Sequence, residues 1–345
     1  MTALYRLSGD ADLSARNTFG VPARAPWLLE VNNASTLAEA LALPQIRGLP
    51  LLPIGGGSNL LFAGDAPGVV LALRGDRVRI LADDGEAAII RADAGLGWHA
   101  LVLWSLRQGL CGLENLALIP GHAGAAPIQN IGAYGAEVGE FVHAVEAWDR
   151  DAGQTVRLDR ASCAFGYRDS VFKRQPDRYL LLALELALPR QAPLRTGYAG
   201  IAEELQAMGV DAPGAADVAA AVIRIRQRKL PDPAVTGNAG SFFKNPLVGQ
   251  AQADALKAEH PALPVFGAGE HQRKLSAAWL IEAAGWKGAR DGDAGVSPDH
   301  ALVLVNHGQA TGAQLLALAR RIAASVQERF GVTLEPEPRV IGAHW

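Results

Sequence analysis

The stretch PGHAGAAPIQNIGAYG, residues 120–135, contains too many glycines and alanines for the interior of a helix or a strand. Small residues let a backbone come close to a flat or extended ligand, and Gln129, Asn130 and Tyr134 add polar side chains. A second small-residue segment, GGGSN at 55–59, directly follows the apolar strand pattern LPLLPI. Consecutive glycines can turn their N–H groups toward an anion. Each segment alone could be a structural loop or a tight turn, but together they favour a dinucleotide cofactor.

A Rossmann site is not the expected form of that dinucleotide site. The segment GLGWHA at 95–100 fits the GxGxxA skeleton of a Rossmann fingerprint. Such a site also needs a parallel return strand and an acidic ribose partner about 20 residues further on. Glu114 lies near that distance, but its surroundings read as a loop. We therefore predict a dinucleotide site of another kind.

The bulk composition narrows the class of protein. A chain of 345 residues exceeds one ordinary core, so two or three domains are expected. Hydrophobic residues make up 49% and charged residues 19%, which is typical of a globular enzyme. The net charge is −3 and no basic block is present, so neither nucleic acid nor a membrane surface is an expected partner.

Several localisation and metal signals are missing from the sequence. The most apolar run, residues 179–189, is too short to span a bilayer and contains Glu185. The N-terminus has no apolar core of a signal peptide, so we expect a cytoplasmic protein. Cys111 and Cys163 are too far apart for a CxxC pair and are expected to be buried thiols rather than a disulfide. The eight histidines show no metal-ligand spacing, and no metal site is predicted.

The order of helix and strand signals predicts an α+β protein. Strand patterns dominate the first half, including a hairpin over 142–159, and alanine-rich helices alternate with strands from about residue 200. Capping-box spacing marks two helix starts, at Thr36 with Glu39 and at Thr311 with Gln314.

Two basic residues have both a functional and a structural interpretation. Arg168, in FGYRDS at 165–170, could hold a carboxylate with its forked guanidinium or could form a surface salt bridge. Lys229 stands at the predicted C-terminus of a helix, where it could meet an anionic ligand or simply favour the helix dipole.

Two further segments carry candidate catalytic side chains. In LEPEPR, strand alternation would point Glu335 and Glu337 to the same face. Ser241 lies in GNAGSFFKNP, 237–246, a loop-forming sequence with no partnered base for a serine nucleophile.

The motifs are specific for one protein family when they are taken together and in order. The series extends from residue 17 to residue 342. The motifs are NTFGVPA, PIGGGSNLLF, GLENLALIPGHAGAAPIQNIGAYGAE, FGYRDSVFK, RKLPDP, GNAGSFFKNP, KLSAAWLIE, ALVLVN and LEPEPRVIG. This series resembles the UDP-N-acetylenolpyruvoylglucosamine reductases, flavoenzymes of peptidoglycan precursor synthesis. The segment TGYAGI, 196–201, resembles the tyrosine loop of the first type of that family.

The resemblance implies a fold and its division. It implies an FAD-binding domain of the vanillyl-alcohol-oxidase (PCMH) type in two subdomains, followed by a C-terminal α+β substrate-binding domain. The implied bounds are 1–75 with 335–345 for subdomain 1, 76–227 for subdomain 2 and 228–334 for the substrate domain, with the PCMH-type region at about 23–192.

The resemblance also implies the chemistry. NADPH reduces a non-covalent FAD, and the flavin N5 then delivers hydride to the terminal carbon of the enolpyruvyl ether while the adjacent carbon is protonated. Ser241 matches the proton donor, and Arg168 and Glu337 match the other catalytic residues. Hydride addition next to a carboxylate leaves an enolate-like dianion, which needs positive charge and hydrogen-bond donors nearby. Glu337 must then be protonated or paired with a cation to help.

The binding residues are implied in the same way. The implied FAD contacts are Gly55, Gly56, Gly57, Ser58, Asn59, Gly121, Ala125, Ala126, Gln129, Asn130, Gly132, Ala133 and Tyr134. The implied contacts to the UDP-sugar and NADPH are Tyr198, Lys229, Asn245 and His300. We expect a monomer with these two nucleotides as its partners.

Two rival functions are left open by the sequence. One is another FAD-dependent oxidase of sugars or hydroxy acids on the same scaffold, which would pass electrons to oxygen and need no second nucleotide. The other is a nucleotide-binding sensor without turnover. The joint presence of Ser241, Arg168 and Glu337 argues against the sensor, because a binder needs no proton donor.

Overall fold

The computed structural model describes residues 4–198 and 200–345, which form two compact units. The first unit combines the described part of Met1–Ala11 with Ala25–Gly56 and Pro67–Arg228. The second combines Asp12–Arg24, Gly57–Ala66 and Lys229–Trp345. The three-part division with bounds at 75, 227 and 334 stays a prediction.

The first unit is built on two main sheets. In the four-stranded sheet the last three strands run parallel; the order is Tyr5–Asp12, Arg24–Val31, Val69–Leu73 and Leu51–Ile54. The five-stranded sheet is antiparallel, in the order Gln154–Asp159, Val142–Asp149, Tyr179–Pro189, Ala87–Asp93 and Val78–Asp83. A short antiparallel pair joins Gly132–Ala133 to Ala136–Glu137.

The helices of the first unit are mostly short. They are Leu37–Leu41, Trp98–Arg107, Arg160–Cys163, Val171–Arg174, Ile201–Ala207 and Ala215–Lys229, the last of which ends on the first residue of the second unit. Single 3-10 turns lie at Ala34–Thr36, Glu114–Leu116, Ala123–Ala125 and Val138–Glu140.

The strand Tyr179–Pro189 separates two hydrophobic cores in this unit. Leu181 and Leu184 belong to one core, and Leu180 and Leu182 to the other. A strand covered on both faces reads as an unbroken apolar run, which is how the sequence reads here. The one acid in the run, Glu185, is buried and accepts from the Arg157 guanidinium at 2.6 Å.

Two expectations are settled by this architecture. The strand Ala87–Asp93, which precedes GLGWHA, pairs antiparallel on both sides, so that segment does not begin a Rossmann unit. Cys111 and Cys163 are both buried free thiols, as predicted, and burial raises the pKa of Cys163 to about 12.

Among the described residues, no helix combines the length and the apolarity that a membrane crossing requires.

The second unit contains three small sheets. An antiparallel sheet has the order Gly237–Ser241, Val303–Asn306, Ala294–Val296 and Arg290–Asp291. A three-stranded sheet has the order Leu247–Gly249, Gln272–Leu275 and Val265–Gly267. A parallel pair joins Arg339–Ile341 to Leu60–Phe62, and the helices are Gln250–Glu259, Ala277–Ala283 and Gly312–Phe330, with a 3-10 turn at Ser14–Arg16.

Candidate active site

The segment 120–135 forms a closely packed loop in the first unit. Ala123 and Gly124 are buried, and the Gly124 N–H donates to the Ala94 carbonyl at 3.0 Å. A Cβ on Gly124 would lie 2.5 Å from the Ala94 Cβ, so only glycine fits there. Asn130 and Tyr134 adopt left-handed backbone angles, with φ of 48° and 49°. The small residues therefore serve close packing and sharp backbone turns.

Two glycines of the segment GGGSN, Gly55 and Gly56, contact the loop 120–135 within the first unit. A Cβ on Gly55 would lie 3.3 Å from the Ala125 Cβ, and one on Gly56 would lie 3.1 Å from the Gly121 Cα. Both glycines are half-buried, and the second loop takes up the space that side chains at these two positions would need. The close approach brings backbone N–H groups of two segments together, and such groups are the donors that the diphosphate oxygens of FAD require.

The turn that carries Arg168 is fastened to the same loop. Gly166 and Asp169 exchange two backbone hydrogen bonds, at 3.0 and 3.2 Å, which close a tight turn around Tyr167 and Arg168. The Arg168 guanidinium donates to the Gly132 carbonyl at 2.8 Å.

Two side chains add further links between this turn and the loop. The Ser170 hydroxyl donates to the Ile128 carbonyl at 2.6 Å. The Asn130 amide nitrogen donates to the Gly166 carbonyl at 3.0 Å, and its oxygen accepts from the Gly139 N–H at 2.8 Å. The arginine turn and the glycine-rich loop are thus one hydrogen-bonded structure, in which the Asn130 side chain is used within the protein.

Arg168 also occupies a strained backbone position. Its φ is +52°, in the left-handed region that non-glycine residues rarely adopt. Its carbonyl accepts from the Lys173 ammonium at 2.7 Å, which helps to hold this conformation. Strain of this kind persists where the surroundings impose it, and it is concentrated at functional sites.

The predicted tyrosine loop contacts the predicted flavin loop. The Tyr198 ring meets the Tyr134 ring edge to face, with centroids 5.5 Å apart, and Tyr198 remains exposed. Burial raises the pKa of Tyr134, and the neighbouring Arg226 opposes that shift. Arg226 was not among the predicted site residues. Its Nε donates to the Leu118 carbonyl at 3.3 Å, and burial lowers the pKa of its guanidinium. A basic residue on the apolar stripe of the helix, three residues before Lys229, was the feature of the sequence that could have indicated a buried arginine.

Ser241 lies at the end of a β-strand in the second unit, so the expectation of a loop was wrong. The strand Gly237–Ser241 pairs with Val303–Asn306, and its register shifts between Asn238 and Ser241. Gly240, with φ +69°, makes this bulge possible, and its N–H donates to the Asn238 side chain at 3.0 Å. Ser241 is half-buried, and among residues 4–198 and 200–345 its hydroxyl makes no hydrogen bond.

Glu337 runs beside the Ser241 segment in the same unit. Its N–H donates to the Phe242 carbonyl at 2.8 Å, and its carbonyl accepts from the Asn59 amide at 3.3 Å. Glu335 is exposed and pairs with Lys244 at 2.8 Å, whereas Glu337 is half-buried.

The expected strand alternation does not apply to these two acids. The chain makes only an isolated bridge, between Phe243 and Pro336, and the regular strand starts at Arg339. The backbone of Glu337 therefore lies next to the end of the strand that carries Ser241, whereas the Glu335 side chain pairs with Lys244.

The predicted nucleotide contacts of the second unit include a small charged cluster. His300 is half-buried, and its pKa is lowered by burial and by Lys229 and Lys287, while Glu282 opposes the shift. Glu282 ends the motif KLSAAWLIE but was not a predicted site residue, and Lys287 lies outside the motifs. Asn245 lies elsewhere in the unit, where its Oδ1 accepts from the N–H of Ala277 at the start of a helix, at 2.9 Å.

The remaining predicted FAD contacts stay predictions. Ala125, Ala126, Gln129 and Ala133 lie along the loop described above. Gly57, Ser58 and Asn59 belong to the second unit, where a Cβ on Gly57 would lie 2.0 Å from the Arg16 carbonyl oxygen. Within the described residues, no group of three or more His, Cys, Asp and Glu side chains is arranged to hold a metal.

Known proteins resemble the chain along nearly its whole length. The family model for the UDP-N-acetylenolpyruvoylglucosamine reductase C-terminal domain matches residues 232–341, and an FAD-binding domain model matches 26–159. The UDP-N-acetylenolpyruvoylglucosamine reductase of Xanthomonas axonopodis pv. citri is 64% identical over 343 residues, which are 99% of this chain and 98% of that protein. The one from Xanthomonas campestris pv. campestris (strain B100) is 62% identical, again over 99% and 98%.

A solved structure supports the same relationship. The crystal structure of the UDP-N-acetylenolpyruvylglucosamine reductase from Thermus caldophilus is 27% identical, with a TM-score of 0.68 over 98% of this chain and 99% of that one. The predicted fold class, an FAD-binding domain followed by a C-terminal α+β domain, is confirmed. The chain therefore belongs to the UDP-N-acetylenolpyruvoylglucosamine reductases, a family of FAD-dependent oxidoreductases.

Proposed function

We propose that the protein reduces the enolpyruvyl ether of UDP-N-acetylglucosamine enolpyruvate to UDP-N-acetylmuramate with electrons from NADPH. The similarity to reductases of this name over 99% of the chain carries the proposal. FAD, when bound, passes the reducing equivalents of NADPH to the substrate as hydride. Gly55, Gly56 and the loop 120–135 hold it, because their small residues let two backbone segments with N–H donors come close together.

Ser241 gives the proton that completes the reduction. The carbon next to the substrate carboxylate becomes strongly basic once hydride has been added to its neighbour. A neutral hydroxyl is an adequate acid toward such a carbon, so no adjacent histidine is needed. The bulge at Gly240 and the pairing of Ser241 with Val303 fix where the hydroxyl lies.

Arg168 and Glu337 stabilise the charge that develops on the substrate. The forked guanidinium of Arg168 binds the substrate carboxylate, which carries more negative charge as the reaction proceeds. Its bond to the Gly132 carbonyl holds the guanidinium beside the loop 120–135. Glu337 acts in its protonated form, or paired with a cation, since a bare carboxylate would repel the developing charge.

The nucleotide parts of both substrates meet Lys229, Asn245, His300 and Tyr198. Lys229 supplies charge to the diphosphates, and it is an exposed side chain at a helix end. The amide nitrogen of Asn245 donates to a phosphate oxygen while its oxygen caps a helix. Tyr198, which is exposed and packs on Tyr134, closes over the nucleotide.

Substitution of Lys229 by alanine is expected to raise KM for NADPH and for the UDP-sugar by roughly 10- to 150-fold, the value of a charge-assisted contact. The FAD content of the purified protein is expected to change much less. Steady-state kinetics with each substrate varied in turn measure the effect. Lys257→Ala is the matched control, because that ammonium is bound by the Pro261 and Leu263 carbonyls. Unchanged KM values for both substrates would show that Lys229 serves only the helix end.

The remaining expectations are part of the same proposal. The enzyme acts as a cytoplasmic monomer, and it binds neither nucleic acid nor a membrane. The division at residues 75, 227 and 334 separates two FAD-binding subdomains from the substrate domain.

The absorption spectrum of the purified protein tests the cofactor directly. We expect a yellow protein with a flavin spectrum, and release of free FAD on denaturation, because the cofactor is expected to be non-covalent. A colourless preparation that FAD cannot reconstitute would contradict the proposal. Fast NADPH consumption in air without any enolpyruvyl substrate would instead favour an oxidase.

A further inference from the structure

The imidazole of His300 is held in one orientation by its own loop. His300 lies between the strands Ala294–Val296 and Val303–Asn306. Its Nδ1 accepts from the Leu302 N–H at 3.2 Å, and its carbonyl accepts from the Val303 N–H at 3.0 Å. The Leu302 carbonyl in turn accepts from the Phe242 N–H at 2.7 Å, which ties this loop to the residue after Ser241.

The bond at Nδ1 determines which nitrogen carries the proton. A nitrogen that accepts a hydrogen bond cannot also carry a hydrogen, so the neutral ring is protonated at Nε2. Protonation to imidazolium would place a second hydrogen at Nδ1, directly against the Leu302 N–H. The ring would have to give up that bond to become charged.

The charged groups around the ring act in the same direction. Lys229, at the end of one helix, and Lys287, after another, both disfavour a positive imidazole. Glu282 favours it, but its carboxylate is 3.1 Å from the Lys287 ammonium. Burial is the largest influence, and together these effects place the pKa of His300 below its ordinary value.

We propose that His300 binds ligand as a neutral imidazole, donating Nε2–H to an oxygen of the diphosphate that the UDP-sugar and NADPH share. Lys229 and Lys287 supply the positive charge, and His300 supplies a directed hydrogen bond whose strength does not change around neutral pH. This inference rests on the proposed function, because it assumes that a diphosphate nucleotide binds here. It adds the tautomer and the charge state of the ring, and it implies that binding takes up no proton at His300.

Two substitutions separate the roles of the two ring nitrogens. In His300→Asn, the amide oxygen can replace Nδ1 as the acceptor for Leu302 N–H, but no donor remains near Nε2. In His300→Gln, the amide nitrogen can replace Nε2 as the donor. We expect His300→Asn to raise Kd for UDP by about 10- to 150-fold, the value of a hydrogen bond to a charged group. His300→Gln is expected to retain most of the affinity, and both variants keep the thermal stability of a folded FAD-loaded protein.

The test combines calorimetry with nitrogen-15 NMR of histidine-labelled, FAD-loaded protein. UDP and NADP⁺ are the two probes, titrated separately at several pH values between about 6 and 8, the range in which an ordinary histidine titrates. We expect the Nε2–H tautomer of His300 before and after each ligand is added, with no proton uptake assigned to this residue. A doubly protonated ring in either complex, or equal affinities of His300→Asn and the unsubstituted protein, would overturn the inference while leaving the proposed function intact. If UDP and NADP⁺ fail to bind the unsubstituted protein, the proposed function fails as well.

Discussion

Replacement of Ser241 by alanine is expected to slow reduction of the enolpyruvyl substrate by about 10²- to 10⁴-fold or more. This range is the usual effect of losing a general acid. That factor corresponds to about 3–5 kcal/mol of activation free energy. The oxidation of NADPH by the bound flavin is expected to stay near normal, because it needs no proton from this residue. Stopped-flow measurements of the two half-reactions, followed by flavin absorbance, give both rates.

The local structure makes this substitution a clean one. The Ser241 hydroxyl makes no hydrogen bond within residues 4–198 and 200–345, so alanine removes no internal bond of the described protein. Phe242 and Phe243, which follow the strand, anchor it. Both side chains are fully buried, and their ring centroids are 5.1 Å apart. Ser241→Cys can still donate a proton and is expected to recover part of the rate. Equal loss of both half-reactions in Ser241→Ala, or loss of neither, would show that Ser241 is not the proton donor.

Replacement of Arg168 by lysine is expected to slow the same half-reaction by about 10²- to 10³-fold, the effect of removing a donor aimed at developing charge. Lysine keeps the positive charge but cannot bind a carboxylate with a planar fork while also donating to the Gly132 carbonyl. Arginine and lysine at position 168 experience the same backbone strain at φ +52°. The difference in rate between the two proteins therefore reports on the head group of the side chain. Single-turnover oxidation of the NADPH-reduced enzyme by substrate measures the effect.

A neighbouring arginine provides the control for this substitution. Arg174 is exposed and forms an ion pair with Asp169 on the same turn. Arg174→Lys is expected to leave both half-reactions unchanged, since exposed ion pairs contribute little. If Arg168→Lys lowers only the FAD content and leaves the rate per bound flavin unchanged, Arg168 serves only to fasten the loop 120–135.

The sequence predicted element types better than their local details, and the two capping boxes show why. At Thr311 the box forms, because the residue is extended and its hydroxyl accepts from the Gln314 N–H at 3.2 Å. At Thr36 the same spacing fails. A preceding 3-10 turn puts Thr36 at ψ 4°, and its hydroxyl donates instead to the Asn33 carbonyl. An N-cap needs an extended backbone, and spacing alone does not report the backbone angle.

The candidate site shows the same limit at a longer range. The resemblance predicted a catalytic role for Ser241, and the glycines and the asparagine before it looked like a loop. They form a bulged strand instead, through pairing with Val303. Asn59 and Asn130 looked like ligand donors, yet each has side-chain bonds within the protein, to Glu337 and to Gly166 respectively. Contacts between distant segments of the chain determine these bonds, and spacing in a single sequence does not encode them.

Reduction and reoxidation of the flavin by the two substrates in turn test the proposed reaction. The purified protein, without oxygen, is mixed first with NADPH and then with UDP-N-acetylglucosamine enolpyruvate, while flavin absorbance is recorded and the product is identified by mass spectrometry. We expect that NADPH bleaches the flavin, that the enolpyruvyl substrate restores its colour, and that UDP-N-acetylmuramate accumulates. Colour that returns only when oxygen is admitted, with the enolpyruvyl substrate unchanged, would contradict the proposed reaction.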